Sequence, residues 1–171
     1  MNGNGTVNDP LTRVQIAKLL EDSQAKERLL FALGICSGMS LKDARALNVD
    51  NLYFPLVLNK RTILISEALR QMLELYKTSD RDADFFIFHA TEEYMLKLVL
   101  KRTYEILGAS KSYKALRITF IKTCAENDVP IDIVMANTGE PIEKVWEHYS
   151  KFRRVVDHSN FSIGFNPLVP A

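Results

Sequence analysis

The hydrophobic pattern of this chain is helical at both ends and extended in the middle, and this arrangement constrains its fold class. Apolar residues recur at helical spacing up to Val49 and again from Ser66. Between these parts, short apolar runs surround a polar turn at residues 59–61 and a β-branched stretch at residues 62–65, a pattern typical of a small antiparallel hairpin or three-stranded sheet. The sequence therefore predicts a mainly α chain with a small antiparallel β-sheet, an α+β fold.

Capping residues indicate where the helices begin and end. Thr12 opens a capping-box pattern, Ser40 is a typical N-cap, and Gly38 and Gly108 are typical C-terminal caps. Residues 85–88 are apolar and predict a short buried strand or extended segment. The predicted helices cover residues 12–22, 24–37, 40–47, 66–78, 91–107, 113–127, 131–137 and a last stretch from Pro141 that continues past Phe152.

The length of 171 residues suits one domain with a core of its own. We expect residues 1–10 to be a disordered lead-in and residues 11–156 to form the domain. Residues 157–171 lack a regular pattern, yet they carry several apolar side chains among Gly, Pro, Asn and Ser. Because such side chains are unfavourable in water, this tail is expected to dock in cis on its own domain or in trans on a neighbour.

Composition excludes several classes of protein. Twenty-two basic and 21 acidic residues give a net charge of +1, so there is no strongly basic tail, although a local basic face is still permitted. Cys36 and Cys124 stand far apart and predict core thiols in a reducing compartment. The N-terminus does not resemble a signal peptide and no apolar run is long enough to span a bilayer, which predicts a cytoplasmic protein without membrane contact.

No cofactor or metal is expected, because the sequence has no glycine-rich phosphate loop, zinc-ligand spacing, nucleophile elbow or dinucleotide fingerprint. The informative residues lie in the last third. Lys114 and Arg117 share a helix face, and a guanidinium among apolar neighbours needs either an acidic partner or a phosphate. Tyr149 lies on an apolar helical stripe, which by itself indicates a core tyrosine with its hydroxyl at the rim.

In their order, these segments resemble the catalytic domain of the tyrosine recombinases, also called phage integrases. Residues 37–47, SGMSLKDARAL, are similar to the family's first box, and residues 114–120, KALRITF, to its second. Residues 138–140, TGE, followed by Tyr149, are similar to its Leu-Gly-His step and nucleophilic tyrosine. Lys60 is a candidate for its hairpin lysine. The resemblance covers about residues 10–155.

The resemblance implies a function on double-stranded DNA. In the family, a tyrosine corresponding to Tyr149 attacks a phosphodiester and forms a 3′-phosphotyrosyl link. The arginine corresponding to Arg117 clamps non-bridging oxygens, and Lys114 stands where the family has histidine or lysine. Lys60, or Arg61 beside it, would protonate the leaving 5′ oxygen.

Two departures from the family pattern predict impaired cleavage. Ser40 stands where the first arginine is expected, and the loss of one preorganised donor costs about 3–4 kcal/mol in barrier. Ser40 is instead suited to cap a helix. Glu140 stands where histidine or tryptophan is expected, and its carboxylate would repel a phosphate, although a glutamate is favourable at a helix start.

Three hypotheses follow. The first is a DNA-binding relative of the recombinases, linked to DNA recombination or integration, with impaired catalysis. The second is an active enzyme that cleaves and rejoins DNA through Tyr149. The third is a protein-interaction scaffold on the same fold, in which residues 157–171 contact a second copy or a full-length recombinase.

Overall fold

The structure, a computed structural model, describes residues 5–78 and 87–153. It confirms the prediction of a mainly α chain with a small antiparallel sheet. Its elements in chain order are helices α1 (Arg13–Asp22), α2 (Ala25–Ala32) and α3 (Leu41–Ala46), strands β1 (Leu56–Leu58) and β2 (Arg61–Ile63), and helices α4 (Glu67–Thr78), α5 (Glu92–Leu107), α6 (Tyr113–Glu126), α7 (Ile131–Thr138) and α8 (Ile142–Phe152). A π-helical turn, Leu33–Ser37, continues α2.

Local signals set the helix limits as the sequence predicts. At the start of α1, the hydroxyl of Thr12 accepts a hydrogen bond from the backbone of Gln15, whose side chain accepts one from the backbone of Thr12. Gly38 and Gly108 end their helices with φ of +68° and +74°, a region that disfavours residues with a Cβ.

The hairpin has two strands. Leu56 pairs with Ile63 and Leu58 with Arg61, and the two turn residues between them both have positive φ, as a tight two-residue hairpin turn requires. Leu56, Leu58 and Ile63 are buried while Val57 is exposed, the alternation expected of a sheet with one face on the core. The hairpin thereby packs its apolar side on the helices.

Helix α6 contributes to two apolar clusters, which are described for residues 5–78 and 87–153. Its N-terminal part contributes Tyr113 and Leu116 to the large core, together with residues of α2, α4 and the hairpin. Its C-terminal part belongs to a second cluster beneath α8, formed by Phe120, Ile121, Cys124, Val134 and Val145. The two ends of α6 therefore lie in different surroundings.

The structure differs from the predicted disordered lead-in over residues 5–10. The backbone of Thr6 donates to the carboxylate of Asp9 at 2.7 Å, and the backbone of Ser112 donates to the carbonyl of Val7 at 2.9 Å. The ammonium of the buried Lys111 donates to carbonyls of the same turn. The polar composition of this segment therefore does not mean disorder. Asp9 forms a turn, and this turn is bonded to Lys111 and Ser112, about a hundred residues further along the chain.

Three further predictions need correction or fall outside the described part. Helix α8 ends at Phe152, and Arg153 is extended, so the helix does not continue past Phe152. Ile87 and Phe88 are buried, but they form no strand; the backbone of Ile87 donates to the carbonyl of Leu47 at 3.2 Å. Residues 85–86 and the predicted docking tail, 157–171, lie outside the described residues.

Candidate functional site

A groove of about 490 Å³ lies between α3, α5, α6 and α8. Four of the six residues that the sequence singles out line it: Ser40, Lys114, Arg117 and Glu140. Its other titratable side chains are Lys42, Glu92, Tyr113, Lys144, Glu147 and His148. Its floor is apolar and includes Leu41, Leu96, Ile118, Ile121 and Val145. The groove therefore combines an apolar floor with a rim of both charge signs.

Arg117 is the central cation of the groove, and its guanidinium has three acceptors. Its Nε donates to the carbonyl of Gly38 at 3.0 Å, Nη2 to the carbonyl of Thr138 at 2.6 Å, and Nη1 to Oε1 of Glu140 at 3.3 Å. Gly38 and Thr138 stand at helix C-termini, whose carbonyls lack partners within the helix. Arg117 thereby joins three elements, and of the two partners that the sequence allowed, an acidic side chain or a phosphate, the structure shows the acidic one, Glu140.

Glu140 connects two cations. Its second oxygen, Oε2, lies 3.6 Å from Nζ of Lys144, one turn further along α8. The side chain of Glu140 is 30% exposed and that of Arg117 is 18% exposed. Glu140 therefore has a role beyond the favourable helix-start position that the sequence indicates, and only the tertiary structure reveals its contact with Arg117.

Ser40 is the N-cap of α3, as predicted. Its hydroxyl accepts a hydrogen bond from the backbone of Asp43 at 3.1 Å, so at this position the groove wall has a neutral capping residue. Asp43 itself is buried, and its carboxylate accepts from Nη2 of Arg61 at 2.6 Å and from Asn59 at 3.3 Å. This ion pair ties α3 to the hairpin.

The hairpin does not place Lys60 among the residues that line the groove. Lys60 is an exposed turn residue with φ of +63°. Arg61 points into the fold, where its Nη1 also donates to the carbonyl of Ala136 at 2.6 Å. A Cβ on Gly139 would lie 2.8 Å from this guanidinium, so a glycine is needed there for the close approach. Arg61 thus holds the hairpin against the end of α7.

Tyr149 lies at the other end of α6 from Arg117. Its hydroxyl donates to the carbonyl of Val129 at 2.7 Å, just beyond the C-terminus of α6. Because α6 rises about 1.5 Å per residue, Arg117 and the end of α6 at Glu126 are separated by about 13 Å along the axis. The ring packs on the second apolar cluster and stacks on Trp146 with centroids 6.1 Å apart. Tyr149 is therefore a core-rim tyrosine in this structure, as its position on the stripe indicates.

The surroundings of Tyr149 disfavour its anionic form. Burial is the main cause that raises the pKa of the Tyr149 hydroxyl, the neighbouring Asp128 and Cys124 raise it further, and Arg153 opposes them. A nucleophile benefits from the opposite shift, because an oxygen that loses its proton more easily attacks more readily. The electrostatics at Tyr149 therefore do not activate it.

His148 is a residue of α8 that lines the groove, and the sequence analysis did not select it. Burial lowers the pKa of the His148 imidazole, the nearby Lys151 and Lys114 lower it further, and Glu147 opposes them. His148 lines the groove together with Lys144 and Val145, four and three residues earlier on the same helix. Its position one turn beyond Lys144 is the signal that would have placed it there.

Asn137 is a second residue that sequence reasoning missed. It is fully buried, its Nδ2 donates to the carbonyls of Ser37 and Leu64 at 2.9 and 2.8 Å, and its Oδ1 accepts from the backbone of Leu64 at 2.8 Å. A buried amide with these partners fixes the end of α7, and with it the start of α8, relative to the hairpin. No local sequence pattern predicts the contacts of Asn137 with Ser37 and Leu64, which are distant in the chain.

Two solved structures are similar to this chain. A XerA recombinase matches with a TM-score of 0.67 and 15% identity over 82% of this chain and 59% of its own. A XerH site-specific recombinase, bound to its palindromic difH substrate in a post-cleavage complex, matches with a TM-score of 0.63 and 18% identity over 90% of this chain and 53% of its own. At such identities the similarity shows the fold, which is that of a tyrosine recombinase catalytic domain.

The chain spans little more than half the length of these two recombinases. No protein-family model matches it, and no curated protein matches it by sequence. Within residues 5–78 and 87–153, no three His, Cys, Asp or Glu side chains are grouped as metal ligands. None of the helices in this part of the chain is long and apolar enough to cross a membrane.

Proposed function

We propose that this protein is a degenerate relative of the tyrosine recombinases that binds double-stranded DNA in recombination or integration and cleaves it poorly or not at all. The fold it shares with two recombinases supports the relationship. One of those recombinases was solved on its difH substrate, which supports DNA as the partner. In this proposal, Arg117 and Lys114 contact phosphate, while Tyr149 and Lys60 are not used in efficient strand transfer.

The observation that carries the proposal is the separation of Tyr149 from Arg117. Phosphoryl transfer requires the nucleophile and the stabilising cations to meet at one phosphorus, with reacting atoms about 3–3.5 Å apart. The Tyr149 hydroxyl is instead bonded to Val129 at the far end of α6 from Arg117. Ser40, at the position of the family's first arginine, supplies no charge to compensate. Cleavage would need a rearrangement of α8 as well as the missing cation.

The charge on the groove rim suggests how DNA would be held. Lys42, Lys114 and Lys144 are exposed at the groove, where flexible ammonium groups can reach phosphate oxygens. Glu92 and Glu147 on the same rim reduce the local positive potential. We therefore expect modest affinity with a clear dependence on salt.

Fluorescence anisotropy with duplex DNA, at low and moderate salt, tests the binding. We expect binding that weakens as salt rises, because neutralised phosphates release counterions. Absence of binding at low salt would contradict the DNA function. Lys18→Gln is a control, because Lys18 lies on α1, is exposed and does not line the groove, whereas Lys114→Gln should weaken binding.

A covalent-trapping assay with nicked or suicide DNA substrates tests the cleavage. We expect no phosphotyrosyl adduct with the wild type and no change in DNA affinity in Tyr149→Phe. An adduct that disappears in Tyr149→Phe would establish the alternative, an active strand-transfer enzyme. The role of residues 157–171 in joining a second copy or a full-length recombinase remains a prediction, as does the cytoplasmic location.

A further inference from the structure

We propose that Glu140 is an internal substitute for a phosphate, so that its carboxylate and a DNA phosphodiester compete for Arg117 and Lys144. The inference rests on the DNA binding proposed above and names the residue that regulates the groove. In this view the ion pair between Glu140 and Arg117 keeps the groove closed to anions until the Glu140 side chain turns away.

Two contacts of Arg117 hold its guanidinium in position, and a third binds the carboxylate of Glu140. The carbonyls of Gly38 and Thr138 hold Nε and Nη2, at 3.0 and 2.6 Å, independently of Glu140. Only Nη1 is bound to the carboxylate, and at the longest of the three distances, 3.3 Å. Departure of Glu140 would therefore leave the guanidinium in place with one N–H edge open to the groove.

Glu140 occupies the position that an anion would take. Its two oxygens reach two cations, with Oε1 on Arg117 and Oε2 at 3.6 Å from Lys144. A phosphate also presents several oxygens to a planar guanidinium and a nearby ammonium, so the two anions use the same donors. Lys114, exposed on the same groove, adds a cation that would meet a phosphate.

The carboxylate is free to move. The Glu140 side chain is 30% exposed, and its partner Lys144 is 71% exposed, so the contact with Lys144 is held weakly in water. The main chain of Glu140 is fixed separately, because its N–H donates to the hydroxyl of Thr138 at 3.3 Å. Side-chain rotation alone would exchange Glu140 for a phosphate without moving α8.

Glu140→Gln tests the competition, with Glu143→Gln as the matched control. Both substitutions raise the net charge by one near the start of α8, but Glu143 is exposed and does not line the groove. We expect Glu140→Gln to bind duplex DNA about tenfold more tightly than Glu143→Gln, with the slope of log K against log salt steeper by about 0.9, one additional phosphate contact. Glu140→Ala, which also removes the amide, should act in the same direction. Equal affinities and slopes for the two Gln variants would overturn the proposal.

A second probe, inorganic phosphate, keeps the competition separate from the DNA function. Thermal unfolding is measured in phosphate and in chloride at equal ionic strength. We expect phosphate to raise the Tm of Glu140→Gln more than that of the wild type or of Glu143→Gln, because a ligand that binds the folded state stabilises it. If no variant binds DNA while phosphate still stabilises Glu140→Gln selectively, the DNA function fails and the competition stands. If DNA binds while the two Gln variants behave alike with both probes, the competition fails and the DNA function stands.

Discussion

The two ends of α6 differ in what surrounds them. At the N-terminal end, Arg117 and Lys114 border an open groove whose rim carries lysines, glutamates and a histidine. At the C-terminal end, Phe120, Ile121 and Cys124 are buried against α7 and α8, and the Tyr149 hydroxyl is satisfied by the carbonyl of Val129. Lys114 and Arg117 at one end thus carry charge to the groove, whereas the other end contributes apolar side chains to the second cluster.

This difference places Arg117 and the Tyr149 hydroxyl at opposite ends of one helix. A single helix positions both Arg117 and the cluster that holds Tyr149, so the helix length fixes their separation. The residues of α8 that line the groove are Lys144, Val145, Glu147 and His148, and Tyr149 is not among them. The groove therefore has Arg117 and three lysines beside its glutamates, whereas the Tyr149 hydroxyl is bonded within the fold.

The largest expected effect on stability comes from Phe120, which contacts the surroundings of both ends of α6. Its ring lies against Gly38, whose carbonyl accepts from Arg117, and it is also part of the second apolar cluster. Phe120→Ala should lower the free energy of unfolding by about 3–5 kcal/mol, because it leaves a cavity. Urea unfolding measures this loss, and Val14→Ala, at an exposed position, should change little. A loss below about 1 kcal/mol would mean that the two ends are not joined through this ring.

The next effect concerns the wall of the groove. Asp43→Asn removes the charge that pairs with Arg61 and leaves the guanidinium with the Ala136 carbonyl. We expect a loss of about 1–3 kcal/mol in the free energy of unfolding, since Asp43 is buried and Arg61 partly exposed. Asp22→Asn, in an exposed pair with Lys18, is the control and should have almost no effect. Similar losses in both variants would contradict a special role for the buried pair.

Tyr149→Phe tests whether the Tyr149 hydroxyl stabilises the fold. We expect a loss of about 0.5–1.5 kcal/mol in stability from the missing hydrogen bond to Val129, with DNA affinity unchanged. Tyr104→Phe, at an exposed position on α5, should leave stability unchanged. Equal stability of the two variants would show that the Tyr149 hydroxyl is not anchored at the packed end.

The smallest expected effect is a pH dependence of the free energy of unfolding, caused by His148 in the groove. The pKa of His148 is lowered below its ordinary value of 6.5, so the unfolded chain binds a proton more readily than the folded one. Stability should therefore fall as pH drops below about 6.5 towards the folded-state pKa, and His148→Gln should flatten this part of the profile. Urea unfolding at closely spaced pH values measures it. An unchanged slope in His148→Gln would mean that His148 is not desolvated in the groove.

Much of the fold could be predicted because its signals are local. The capping box at Thr12, the glycine stops at Gly38 and Gly108 and the N-cap at Ser40 each depend on contacts within a few residues. The hairpin followed from β-branched residues around a polar turn. The lead-in could not be predicted, because the residues that order it, Lys111 and Ser112, are distant in sequence.

The candidate site was predictable in part. Lys114, Arg117, Ser40 and Glu140 do share one groove, in agreement with the order of the motifs. Lys60 is not among its lining residues, and Tyr149 lies at the opposite end of α6. A motif specifies which residue types occur in which order, but the direction of a side chain depends on the packing of its helix.

The sequence by itself determined the helices, the hairpin, the capping role of Ser40 and the need of Arg117 for a partner, because these follow from periodicity, backbone geometry and the cost of an unpaired charge. The tertiary structure alone decided which partner Arg117 took. Its acceptors come from Gly38, Thr138 and Glu140, which lie 79, 21 and 23 positions away in the chain. Such pairings arise only when separate helices pack, since no local pattern encodes the meeting of their ends.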